Sequence, residues 1–132
     1  MIYGIGTDIV EIARIDATLQ RQPRFAQRIL GPNEWLTYER RRQRNVARGV
    51  SFLATRFSAK EAFSKACGLG MRSPMTWQAI EILSAAGGRP FLQANGPMLQ
   101  WLADRRLVGH VTVSDEVSHA VTFVVLETES EK

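Results

Sequence analysis

Cysteine occurs once in this chain of 132 residues, at Cys67. A lone cysteine excludes an intrachain disulfide and any zinc site built on clustered thiolates. Histidine is almost as scarce: His110 and His119 sit in strand-like patterns, too few and too isolated to carry a metal centre. No Walker loop or Gly-x-Ser-x-Gly elbow occurs, which leaves P-loop nucleotide hydrolysis and serine-hydrolase chemistry without support. Long apolar runs are missing too. Residues 120–126 come nearest, and they fall far short of the roughly 20 residues that a membrane-spanning helix requires. The opening residues, Met1 to Asp8, lack the basic stretch that begins a signal peptide, so a cytoplasmic protein without membrane association is expected. Lysine is rare among the cations: 14 of the 17 basic side chains are arginine.

What is present is a globular composition, 45% hydrophobic and 23% charged, which excludes wholesale disorder. A chain of this length buries about two-thirds of its unfolded surface, and without repeats or linkers residues 1–132 are expected to form one domain. The net charge of +4 is unevenly placed. Residues 1–66 carry 12 basic and 6 acidic groups, whereas residues 67–132 carry 5 and 7. Between positions 14 and 48 there are nine arginines against Asp16, Glu34 and Glu39. Such a field draws an anionic partner: nucleic acid, a phosphorylated small molecule or an acidic protein. Arginine's planar fork suits phosphate and carboxylate alike. A solvated basic helix surface is the plainer alternative, and the density of arginines tips the reading toward a partner.

Residues 2–10 read as a β-branched strand with glycines at 4 and 6. Gly4-x-Gly6 resembles the start of a dinucleotide fingerprint, but the third glycine and the distal acid are missing, which rejects a Rossmann unit. Ile12, Ile15 and Leu19 give helical spacing over residues 11–20, and a turn at Pro23 leads to Phe25, Ile29 and Leu30. Gly31-Pro32-Asn33-Glu34 starts a helix that ends in the basic run 40–44. The longest helix spans residues 45–67 and is stopped by Gly68 and Gly70. Its Val50, Leu53, Phe57 and Glu61 share one face, with Lys65 beside it, while Phe52, Ala59, Phe63 and Ala66 lie roughly opposite. A helix apolar on two sides is buried or sits at a subunit contact. Strands over 78–83 and 89–93, a helix from Asn95 to about 107, and strands over 109–114 and 119–127 complete the pattern, with residues 129–132 expected to fray. The class is α+β, a small antiparallel sheet packed with a long central helix.

Two places carry chemistry. Asp8 closes the first strand, where a carboxylate either caps the next helix or holds a hard cation. Lys60-Glu61 with Lys65 lies on the long helix; Glu61 and Lys65 at i, i+4 form a plain ion pair if exposed. Glu61 continues an apolar stripe, however, where a carboxylate is costly unless paired or bound to a cation. Two carboxylates from different elements, flanked by lysine and arginine, are what a magnesium–pyrophosphate site needs. Spacing alone does not bring Asp8 and Glu61 together. Cys67 has no base partner nearby and is expected to pack at the helix end.

The blocks Gly4-Ile5-Gly6-Thr7-Asp8-Ile9-Val10-Glu11-Ile12 and Arg56-Phe57-Ser58-Ala59-Lys60-Glu61-Ala62-Phe63-Ser64-Lys65-Ala66 resemble the two signature blocks of the holo-[acyl-carrier-protein] synthases. These are short, single-domain phosphopantetheinyl transferases, and the resemblance runs through the whole chain. It implies transfer of 4'-phosphopantetheine from coenzyme A to a serine of acyl carrier protein, releasing adenosine 3',5'-bisphosphate, in fatty acid biosynthesis. It also implies magnesium, with manganese as the alternative ion, held by Asp8 and Glu61. Glu61 and Lys65 would be catalytic, with Glu61 the first choice of base, and Arg56, Lys60 and Lys65 would contact coenzyme A phosphates. Arg14, Arg21, Arg24 and Arg28, with Phe25 as apolar anchor, would dock an acidic carrier protein, matching the charge reading. A homotrimer with active sites between subunits is implied as well. One departure is Thr112-Val113-Ser114-Asp115, where many members have Ser-x-Ser-His, so no histidine role transfers to Asp115. The competing reading, a basic nucleic-acid-binding module, predicts binding that weakens steeply with salt, but it lacks a motif and leaves Glu61 without a task. An inactive scaffold is a third reading, weakened by the presence of both carboxylates and both lysines.

Overall fold

The structure is a computed structural model that describes residues 1–129. Strand β1 (Ile2–Glu11) runs directly into helix α1 (Ile12–Arg21), followed by α2 (Phe25–Ile29), α3 (Pro32–Arg44) and α4 (Val46–Cys67). The second half holds β2 (Ile80–Ser84), β3 (Pro90–Ala94), α5 (Gly96–Asp104), β4 (Leu107–Asp115) and β5 (His119–Thr128). The architecture is the expected α+β. Helix α2 is the one added element, and its five residues are too few to show a helical period in sequence. Helix α5 stops earlier than expected because Arg106 takes a left-handed conformation (φ 55°) that turns the chain into β4. Of the C-terminal segment expected to fray, positions 130–132 lie outside the described residues, and the Glu129 amide donates to the Arg106 carbonyl.

Helix α4 organises the rest. The Asn45 side chain caps its start by accepting from the Ala47 and Arg48 amides, and Gly68, left-handed at φ 78°, ends it. Of its 22 residues 15 are buried, because apolar clusters flank it on both sides. Val50, Phe52 and Leu53 pack with Ile12, Ile15, Ile29 and Tyr38 in one cluster. Ala59, Phe63 and Ala66 pack with Ile80, Ile82, Met98 and Leu126 in the other. Each fully buried large side chain contributes about 1.5–3 kcal/mol, which explains why a helix apolar all round takes the centre. Only residues 51, 57, 61 and 65 stay partly open beyond its first turn, so Phe57, Glu61 and Lys65 form the one stripe that reaches solvent.

The three-stranded sheet, in the order β1-β5-β4, is antiparallel throughout; β2 and β3 form a separate antiparallel pair. Alternation along β1 turns Gly4, Gly6, Asp8 and Val10 toward α4. A Cβ at Gly6 would stand 1.9 Å from the Ala62 carbonyl oxygen, and one at Gly4 2.1 Å from that of Ala66. The two glycines therefore let the strand backbone lie directly against the helix backbone. On the opposite face Ile5, Ile9, Val121 and Phe123 are exposed. No helix among the described residues is long and apolar enough to cross a membrane.

Candidate functional site

The close approach of β1 to α4 brings Asp8 beside Glu61 and Lys65. Lys65 Nζ donates to Asp8 Oδ1 at 3.2 Å and to the Thr7 carbonyl at 3.0 Å. Ser58 Oγ donates to Asp8 Oδ2 at 2.8 Å, and the same hydroxyl is 2.9 Å from Thr122 Oγ1 on the neighbouring strand. Both oxygens of Asp8 are thus oriented, while its side chain keeps 16% exposure. Burial pushes the Glu61 carboxyl above the usual glutamate range, the Asp8 carboxylate pushes it further, and Lys65 opposes both. Two carboxylates held side by side, on a stripe open to solvent, form an incomplete charge balance. All of their donors are oxygen, which suits a hard divalent cation whose remaining ligands come from phosphate and water. Among the described residues no cluster of three or more metal-ligating side chains competes with this pair.

The motif lysines part company. Lys65 is half-exposed at the site, but Lys60 is fully buried, and this corrects its assignment as a phosphate contact. Its ammonium donates to the Ile29 carbonyl at 2.6 Å, Glu34 Oε1 at 2.7 Å and the Trp77 carbonyl at 2.8 Å. An ammonium has three protons, so none remains for a ligand. Glu34, expected only as a favourable first-turn residue of α3, is as deeply buried; it also accepts from the Gly31 and Ile82 amides. Arg56 is buried too, donating to the Ile82 carbonyl and Thr55 Oγ1 with its guanidinium over the Phe52 ring. Burial pulls its pKa down to about 10, so it stays charged at neutral pH. Unlike Lys60 it borders a cavity of about 160 Å³, which it lines with Arg41 and Asp115. The Cys67 thiol is pushed up to about 12 by burial, consistent with a packing role.

The nine arginines spread over three places, with Arg42 paired to Glu39 on α3. Arg40, Arg41, Arg44 and Arg48 line a cleft of about 710 Å³ with Asp115 and Glu116. Arg24 and Arg28 line another, of about 530 Å³, with Trp77 and Gln78. Arg14 and Arg21 are exposed on α1. Phe25, half-buried, meets Phe57 at 5.8 Å between ring centroids, and Phe57 stacks on Trp77 at 5.0 Å. Aromatic surface and arginines thus adjoin the open stripe of α4. Ser58, Thr122, Glu34 and Trp77 were not singled out from sequence, because the partners that give them meaning lie at least 17 positions away in the chain.

The profile of the 4'-phosphopantetheinyl transferase superfamily matches residues 4–124. The holo-[acyl-carrier-protein] synthase of Leptothrix cholodnii is 55% identical over 130 residues, 98% of either chain. Among solved structures, the holo-[acyl-carrier-protein] synthase from Neisseria meningitidis superimposes with a TM-score of 0.89 at 38% identity, covering 97% of this chain and 100% of that one. A holo-(acyl-carrier-protein) synthase from Bacillus anthracis, in complex with CoA (3',5'-ADP), gives 0.82 at 34% identity over 98% and 99%. With the two signature blocks meeting at Asp8, Glu61 and Lys65, the chain belongs to the 4'-phosphopantetheinyl transferase superfamily, within its holo-[acyl-carrier-protein] synthase family.

Proposed function

We propose that this transferase, acting as a single-domain unit in the cytoplasm, moves 4'-phosphopantetheine from coenzyme A onto a serine hydroxyl of an apo acyl carrier protein for fatty acid synthesis. The observation that carries the reading is the junction of Asp8 with Glu61 and Lys65 beside an arginine- and aromatic-rich surface. Asp8 and Glu61 would hold magnesium, or manganese in its place. When bound, the ion neutralises pyrophosphate charge and polarises the phosphorus under attack. The serine oxygen forms a bond to phosphorus as the pyrophosphate bridge breaks, and adenosine 3',5'-bisphosphate leaves with the electron pair. Glu61 takes the serine proton, directly or through a water. Lys65 keeps one N–H beyond its two donations and offers it to a phosphate oxygen. Arg56, at the small cavity shared with Arg41, supplies a further phosphate contact.

An acidic carrier would dock on Arg14, Arg21, Arg24 and Arg28 with Phe25 as anchor. Arg14→Glu is expected to raise KM for the carrier about tenfold while KM for coenzyme A stays within about twofold. An equal rise for coenzyme A in steady-state kinetics would remove α1 from the docking surface. The exposed sheet face of Ile5, Ile9, Val121 and Phe123 supports association into a homotrimer with sites between subunits. The direct test incubates the protein with coenzyme A, magnesium and apo carrier and reads the intact mass of the carrier. A gain of one phosphopantetheine, lost when a chelator is present, is expected. No gain with folded enzyme and a cognate carrier overturns the proposed reaction.

A further inference from the structure

Lys60 and Glu34 form an ion pair with both side chains fully buried. Such a pair is a poor device for stability, since apolar residues of the same volume commonly serve as well. Its geometry points elsewhere. The three ammonium contacts reach three separate segments: the end of α2 at Ile29, the first turn of α3 at Glu34, and the segment before β2 at Trp77. Glu34 and Glu81 tie the first turn of α3 to β2, because the Glu81 carboxylate accepts from the Asn33 and Glu34 amides and from Asn33 Nδ2, and Glu34 accepts from the Ile82 amide. On the outside Gln78 Nε2 donates to the Gln27 and Leu30 carbonyls, at 2.6 and 3.0 Å. Two neighbouring segments are therefore clamped, from within by Lys60 and from without by Gln78. Both belong to the surface that carries Arg24, Phe25, Arg28 and Trp77.

Lys60 is also the residue next to Glu61. We propose that Lys60, with Gln78 as its outer tie, is a positioning residue of the transfer reaction: it fixes the α2–Trp77 surface at a set offset from the turn of α4 that carries Glu61. The inference rests on reading that surface as the carrier's docking face. A carrier seated there then presents its serine at the distance that transfer requires. The short, charge-assisted contacts define that offset more tightly than apolar packing would. A displacement near 1 Å in a reacting pair costs about 100-fold in rate even when binding is unaffected.

The decisive variant is Lys60→Met combined with Glu34→Gln, which removes both buried charges together and nearly conserves volume. With the folded fraction fixed by circular dichroism, kcat is expected to fall about 100-fold while KM for coenzyme A and for the carrier stay within about twofold. A kcat per folded molecule within about threefold of the parent overturns the proposal, because the pair would then be structural alone. A parallel rise in KM for coenzyme A also overturns it, since Lys60 would then act on substrate. Should the double variant not fold, Gln78→Ala decides, because Gln78 is exposed and its loss does not threaten the core. A fall of about fivefold in kcat at unchanged KM is expected there, and an unchanged kcat overturns the proposal. Failure of the docking reading has its own signature, an Arg24→Glu, Arg28→Glu double variant with unaltered carrier KM.

Discussion

Glu61→Gln is expected to lower transfer by about a thousandfold and, at the same time, to raise the melting temperature of the metal-free protein. The two effects share one cause. Burial and the Asp8 carboxylate hold the Glu61 pKa above its ordinary value of 4.5, so the folded state binds its proton more tightly than the unfolded state does. Stability from this group is therefore fully present below the ordinary glutamate pKa. It is lost as pH rises through the raised one. At neutral pH the ionised carboxylate weighs against folding, and glutamine removes that charge while keeping the shape. In a thermal melt series the parent should lose stability between about pH 4.5 and neutrality relative to Glu61→Gln, and added magnesium should narrow the gap. Near-normal turnover by the variant would dismiss Glu61 as a ligand or base. A lower melting temperature at neutral pH would contradict the electrostatic account of its environment.

The second large effect is expected at a residue with no side chain. Gly6→Ala places a methyl group 1.9 Å from the Ala62 carbonyl oxygen and 2.9 Å from the Ala62 carbonyl carbon and the Ala66 nitrogen. Every atom it meets is backbone of α4, so no rotamer change relieves the clash, and strand and helix must separate. Forcing atoms into a packed interface costs about 1–3 kcal/mol, and this contact belongs at the upper end. The separation also draws Asp8, two residues along the strand, away from Ser58 and Lys65. A fall of about 10 °C in melting temperature is expected, with kcat per folded molecule reduced about 100-fold. Unchanged activity in the folded fraction would mean that the strand moves without carrying the carboxylate, and the site would then owe its geometry to β5 rather than to β1.

Gly6 shows how the chain reads before and after folding. In sequence, Gly4-x-Gly6 is weak evidence for a dinucleotide fingerprint, rejected because the third glycine and the distal acid are missing. In three dimensions the same glycines are the reason Asp8 reaches α4. The elements themselves were legible: Asn45 and Gly68 bound α4 at the expected positions, and the alternation along β4 and β5 set the antiparallel sheet. These features depend on residues within a few positions of one another, which is why local chemistry was enough. Helix α2 escaped because five residues contain barely more than one turn. The pairing of the two signature blocks was legible as a family resemblance, although no spacing rule links positions 8 and 61.

The lysines mark the boundary most clearly. Lys60 and Lys65 lie on one helix about 140° apart, and the helical period states that they face different ways. It does not state which of them meets solvent. That depends on what packs against each side of α4: Glu34, Ile29 and Trp77 around Lys60, and the edge of β1 beside Lys65. Composition, helix and strand limits, and the residues able to do the chemistry are properties of short stretches of chain. Which of those residues stand at the site and which hold the surrounding segments in place was settled by contacts between distant stretches, because burial assigns each ammonium its partners.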